Sequence, residues 1–145
     1  MADDKTQEKT RKKLKEGWIK ATMMIEALAT TDKAAKEALE KHVGAMDRED
    51  GLIRCKTEWG EMKKVEKPFK NVEVAHSLIV EVEFIAQSFE RLVWAVMTFC
   101  PSSIEIIEPE NLKLDMGDAQ NILNSISDII HRFAAMGIGG VVIRT

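Results

Sequence analysis

The order of hydrophobic patterns along this chain constrains its fold more than any single motif does. Stretches that alternate apolar and polar residues, as strands do, are interleaved with stretches of helical period in the order strand, helix, strand, strand, helix, strand, and a further amphipathic helix follows. Each strand–helix–strand passage must cross back over the sheet, and right-handed crossovers put both connecting helices on the same face. The pattern therefore predicts an α+β sandwich with one sheet face covered by helices.

The elements are read as follows. In Trp18–Leu28, Ile19, Ala21, Met23, Ile25 and Ala27 share one face and Lys20, Thr22 and Glu26 the other, which is a strand period. Thr31 then supplies a helix cap before Asp32, and Ala35, Ala38, Leu39, His42, Val43 and Met46 form a helical stripe that ends near Asp47. Leu52–Trp59 alternates again, with Ile53, Cys55, Thr57 and Trp59 on one face. A lysine-rich stretch from Gly60 to Asn71 carries Lys63, Lys64, Lys67 and Lys70, and Pro68 within it argues for a mobile hairpin connection rather than a strand. Val72–Phe84 is the clearest strand, with Val74, His76, Leu78, Val80, Val82 and Phe84 pointing one way. The second helix runs from about Ser88 to Phe99 with Phe89, Leu92, Val93, Val96 and Met97 inward, which leaves Trp94 off the stripe. Ser103–Ile107 is a short fourth strand, and Met116–Ala135 a third helix with a stripe of Ala119, Ile122, Leu123, Ile126, Ile129, Ile130 and Phe133. Gly137 and Gly139–Gly140 stop that helix, and Val141–Ile143 is a last extended piece. Residues 1–16 hold Leu14 as their one strongly apolar side chain beyond Met1, so they are expected to form a flexible charged arm ahead of a single domain over 17–145.

Composition excludes several functions. With 145 residues the chain can bury roughly 70% of its unfolded surface as one domain without staples. A net charge of −3 argues against a nucleic-acid binder that works by neutralising phosphates. The two cysteines, Cys55 and Cys100, and the lack of a signal-like apolar run fit a reducing cytoplasm, and no stretch is apolar for long enough to span a membrane. Tyrosine is absent and methionine occurs 8 times, which suits an adaptable core better than an aromatic recognition surface.

Motifs that would carry chemistry are sparse. The only glycine cluster follows a helix, where a dinucleotide fingerprint would precede one. A symmetric hairpin would set Cys55 opposite His76 on the core face, a pair able to form a thiolate nucleophile or two metal ligands. The simpler reading of that pair is a packed thiol beside a hydrogen-bonded histidine. Glu105, Glu108, Glu110, Asp115 and Asp118 gather around the last strand and the third helix, an oxygen-rich set of the kind that hard cations take. Their spacing matches no calcium loop, and a solvated acidic rim explains them as well.

The assembled elements over Trp18–Ile107 resemble the ferredoxin-like superfold, a βαββαβ sandwich whose antiparallel sheet has the order 4-1-3-2; here a C-terminal amphipathic helix is added. The run Pro101-Ser102-Ser103-Ile104-Glu105-Ile106-Ile107-Glu108-Pro109 looks like that of small uncharacterised archaeal proteins of this fold. Amino-acid-sensing ACT domains share the topology but carry a glycine-containing turn where this chain has Thr30-Thr31-Asp32, and copper-chaperone domains carry a cysteine pair there. The resemblance implies the fold and transfers no site.

These readings converge on a non-catalytic cytoplasmic domain that self-associates as a homo-oligomer, with no cofactor, nucleic acid or membrane partner. Its expected interface is the surplus apolar surface of Met24, Ile79, Trp94, Ile107, Ile122 and Ile126. The rivals are an enzyme built on Cys55, His76 and the acidic group, and an ACT-like sensor of a small ligand.

Overall fold

The computed structural model describes residues 4–69 and 72–135. The chain divides into two compact units, Met1–Asn111 and Leu112–Thr145. The first is an α+β unit in element order α1 (Asp4–Lys15), β1 (Ile19–Ala29), α2 (Asp32–Gly44), β2 (Leu52–Trp59), β3 (Lys63–Phe69), β4 (Val72–Ala86), α3 (Phe89–Phe99) and β5 (Ser103–Glu108), with a 3-10 turn at Ala45–Arg48. The second contains α4 (Met116–Ala135).

The sheet is antiparallel and five-stranded, with β2-β4-β1-β5 as its main path and β3 also pairing with β4. β1 is a strand as its period requires: Ile19, Ala21, Met23 and Ile25 are buried, while the alternate residues Lys20 and Thr22 are half-buried and Met24 and Glu26 exposed. Opposite them on the same face lie Ala86, Phe84, Val82 and Val80 of β4. This face is the core, closed by Ala35, Leu39, Val43 and Met46 from α2 and the turn after it and by Leu92, Ala95 and Phe99 from α3.

Both covering helices begin at side-chain caps. The Ala34 N–H donates to Thr31 Oγ1 (3.1 Å) and the Arg91 N–H to Ser88 Oγ (3.1 Å), each satisfying an amide that has no partner within its helix. The helices are tied together where the His42 ring hydrogen-bonds the Phe99 carbonyl at 2.8 Å and meets the Phe99 ring edge-on. A two-pronged Arg54–Asp47 pair (2.6 and 3.1 Å) holds β2 to the turn after α2.

Residues 4–15, expected as a charged arm, form the helix α1, and the stretch expected as one domain over 17–145 spans the two units given above. Two readings of individual elements are corrected. The stretch 63–69 is a strand, so Lys63, Lys64 and Lys67 belong to a paired arm of the sheet; Lys70 lies outside the described residues, as does Val141–Ile143. β2 and β3 run one after the other along the same edge of β4, and an edge strand tolerates both lysines and the missing N–H of Pro68. The inward phase of α3 is Leu92, Ala95 and Phe99, and Trp94 packs against the core cluster. A helix that is apolar on nearly every side gives several phases of similar strength.

Candidate functional site

The sheet face opposite α2 and α3 carries Lys20 and Thr22 of β1, Glu81, Glu83 and Ile85 of β4, and Lys56 and Glu58 of β2. α1 lies against β2 on this side. Its narrow inward face is Thr6, Thr10, Lys13 and Leu14, at helical spacing, and Thr10 alone of the helix is buried. The Thr10 hydroxyl donates to the Thr6 carbonyl (2.8 Å) and stands 3.5 Å from the Cys55 thiol.

The helix is stopped by its own sequence. The Trp18 N–H bonds the Lys13 carbonyl and the Gly17 N–H the Leu14 carbonyl, both at 3.1 Å, and Gly17 takes φ +102°. These are the two crossed bonds of a Schellman cap, which needs a left-handed residue at the position of Gly17. The Lys13 ammonium sits 5.0 Å from the centre of the Trp18 ring, closing the corner between helix and strand. Gly17→Ala leaves side-chain space unchanged, since nothing lies within 4 Å of the added Cβ, and its whole effect is backbone strain of about 1–2 kcal/mol. The expected result is faster hydrogen exchange over residues 4–16 with β4 unchanged; equal acceleration in both would mean that α1 is part of the cooperative core.

Because α1 makes so few buried contacts, two cavities remain beside it. One, of about 380 Å³, is lined by Thr10, Arg11 and Leu14 of the helix, by Lys20, Lys56 and Glu83 of the sheet face, and by Cys55 and Glu108. The other, of about 400 Å³, shares Arg11, Leu14 and Glu108 and adds Lys15, Gly17, Trp18 and Pro109. Lys20 and Glu83 pair across the strands at 3.4 Å, and Lys56 and Glu58 pair along β2 at 2.6 Å. The Lys56–Glu58 pairing raises the lysine and lowers the carboxylate from their ordinary values. Burial raises the Cys55 thiol above its ordinary 9.0, a shift opposed by the Thr10 hydroxyl, so Cys55 is protonated at neutral pH.

The structure separates the pair expected at Cys55 and His76. β3 pairs with β4 as far as Phe69 opposite Val72, and β2 pairs with β4 only over Val80–Ala86, which is not the symmetric register expected of the two predicted strands. Cys55 is the bulged residue between Arg54, opposite Phe84, and Lys56, opposite Glu83, and it faces α1. His76 lies opposite Ala29 and Lys64 near the far end of β4, on the core face by alternation with Leu78 and Val80. The acidic set is divided as well. Glu105, Glu108 and Glu110 belong to the first unit and Asp115 and Asp118 to the second, where Asp115 caps α4 by accepting the Asp118 N–H at 2.8 Å. Among the described residues, no group of three or more His, Cys, Asp or Glu side chains could hold a metal ion.

Of the apolar candidates, Met24 and Ile107 are exposed and Ile79 is half-buried on the open face. The Trp94 ring is taken up within the chain, under Arg91 at 4.4 Å and edge-on to Phe99. On α4, Ile122 is buried and Ile126 partly so. The role of Gly17 is a site feature that sequence reasoning missed, whereas Arg11 was open to it as one of several basic residues able to meet an anion and Trp18 as a residue flanking the sheet face. Lysines in a last turn followed by Gly-Trp were the available signal.

No helix among the described residues is long and apolar enough to cross a membrane. A family model, that of the MJ0538 family, matches residues 20–144. No curated protein matches the chain.

Proposed function

The chain belongs to the MJ0538 family, a family without an assigned activity, and from that premise we propose that it is a self-associating module in which α4 pairs with α4 of a second copy. One observation carries this reading: α4 exposes Leu123 (62%), Ile130 (57%) and Phe133 (52%) on a continuous stripe. Ala119, Ile126 and Phe133 repeat every seven residues, Ile122 and Ile129 repeat three positions later, and Leu123 and Ile130 flank the seam. That is the spacing with which one amphipathic helix packs on another. The other described helices offer no match for it. α2 and α3 spend their apolar faces on the sheet, and α1 is polar on nearly every side. A second α4 is the complementary surface that the sequence itself provides, through a two-fold contact.

The free edge of β5 is the weaker candidate. All six of its residues are exposed, Ile104, Ile106 and Ile107 among them, but the strand is short and Glu105 and Glu108 blunt it as a template. The sheet itself we read as ferredoxin-like, with β3 and the end of β4 as a projecting arm.

Light scattering tests the assembly. The wild type is expected at twice the 16.3 kDa chain mass at micromolar concentration, and Leu123→Asp/Ile130→Asp at the single-chain mass with unchanged circular dichroism. Two carboxylates in an apolar seam cost several kcal/mol, enough for about a hundredfold loss or more in association. A wild type of single-chain mass overturns the proposal; a double variant that stays dimeric moves the contact away from α4.

A further inference from the structure

We propose that the two joined cavities beside α1 form a binding site for a small zwitterion, its carboxylate held by Arg11, its ammonium by Glu108 and its apolar part resting on Leu14, Trp18 and Pro109. The site lies wholly within the first unit and is independent of the pairing through α4.

The charges select the ligand. The other charged groups facing the two cavities from the sheet are already matched, Lys20 by Glu83 and Lys56 by Glu58, and Lys15 of α1 stands as a second cation on the Trp18 side. Arg11 and Glu108 make no ion pair among the described residues, with each other or with any other group, although both line both cavities. A cation and an anion that face the same space without closing on one another are complementary to a ligand carrying both charges. The guanidinium fork suits a carboxylate, and a carboxylate accepts from an ammonium.

The shape adds the rest. Each cavity is of the size small molecules occupy, and the two differ in lining. The one toward Cys55 and Lys56 is polar; the one toward Trp18 and Pro109 is largely apolar, with Trp18 fixed from behind by Lys13. Arg11, Leu14 and Glu108 form the wall between them, so a molecule whose charged end lies at that wall reaches the apolar side with its remaining part. A free amino acid with an apolar side chain has this form.

Cys55 lines the polar cavity and reports on occupancy. In the Cys100→Ser chain it is the one remaining thiol, because the sequence holds 2 cysteines. Its alkylation by iodoacetamide is followed by mass spectrometry, with L-leucine, L-phenylalanine and L-methionine as probes and isovalerate and isoamylamine as single-charge controls. The expected result is that at least one amino acid slows alkylation several-fold while neither control does. Arg11→Gln and Glu108→Gln, both substitutions of exposed side chains, are each expected to weaken the protecting amino acid by about tenfold or more. Calorimetric titration of the wild type with the same probes reads binding without relying on the thiol. The proposal is overturned if none of the three probes protects Cys55 or gives heat. Protection that survives Arg11→Gln or Glu108→Gln, or equal protection by a single-charge control, overturns it too.

Discussion

Phe84→Ala is expected to lower the unfolding free energy by about 3–5 kcal/mol, the range for an aromatic removed from a closed core. Phe84 is 0% exposed and sits at the centre of the sheet, opposite Ala21 on one side and Arg54 on the other. Its neighbours on the core face, Val82 and Ala86, are also fully buried, and α2 and α3 close over them, so no adjacent side chain is free to swing into the void. Against a total stability of about 5–15 kcal/mol for a domain of this size, such a loss leaves the first unit marginal. Urea unfolding should show a lower midpoint with an unchanged slope. Ile107→Ala, at a side chain already 48% exposed, is the control and should stay within about 0.5 kcal/mol. A Phe84→Ala loss below about 1 kcal/mol would mean that the layer of α2 and α3 does not close on the sheet as described.

Gly60→Ala is expected to destabilise by about 1–3 kcal/mol, the cost of forcing an atom into packed structure. A Cβ at this position would stand 2.9 Å from the Ile79 carbonyl oxygen, the same atom that accepts the Gly60 N–H at 2.8 Å. Both partners are backbone, so the clash is relieved only by opening the joint between β2 and β3. Hydrogen exchange should then quicken over 61–77 before it does over 19–25. Gly44→Ala gives the opposite sign in the same chain. It is helical, nothing lies within 4 Å of the added Cβ, and alanine should raise stability by about 0.5–1 kcal/mol. If the two substitutions behave alike, the close approach at Gly60 is not a constraint.

Where the sequence repeated a simple period, the structure followed it. β1 alternates along Ile19–Ile25 and is a strand there, and α2 begins at the hydroxyl of Thr31. The misreadings have specific causes. α1 was missed because Leu14 is the one strongly apolar residue of its inward face, the rest being Thr6, Thr10 and the stem of Lys13. β3 was missed because lysines and a proline oppose a central strand but not an edge strand, and only pairing shows which edge is free. Cys55 was paired with His76 on an assumed loop length. The register of β2 on β4 and a bulge at Cys55 itself moved it along the strand and across the sheet, onto the cavity beside α1. No local pattern announces a bulge, so that cavity could not be read before the register was known.

The long β4 strand has a kinetic consequence. Its pairing with β3 begins at Phe69 opposite Val72, so the hairpin can form early, from contacts close in sequence, and zip toward Leu52 and Ala86. β1 can join only by bringing residues 19–29 against 76–86, and β5 only by bringing 103–108 back to β1. Each of those steps closes a long loop before it gains a contact, which places docking of β1, rather than growth of the hairpin, at the barrier. Substitutions along the β1–β4 seam, such as Met23→Ala or Val82→Ala, should accordingly slow folding, while those in the β3 arm should mainly speed unfolding.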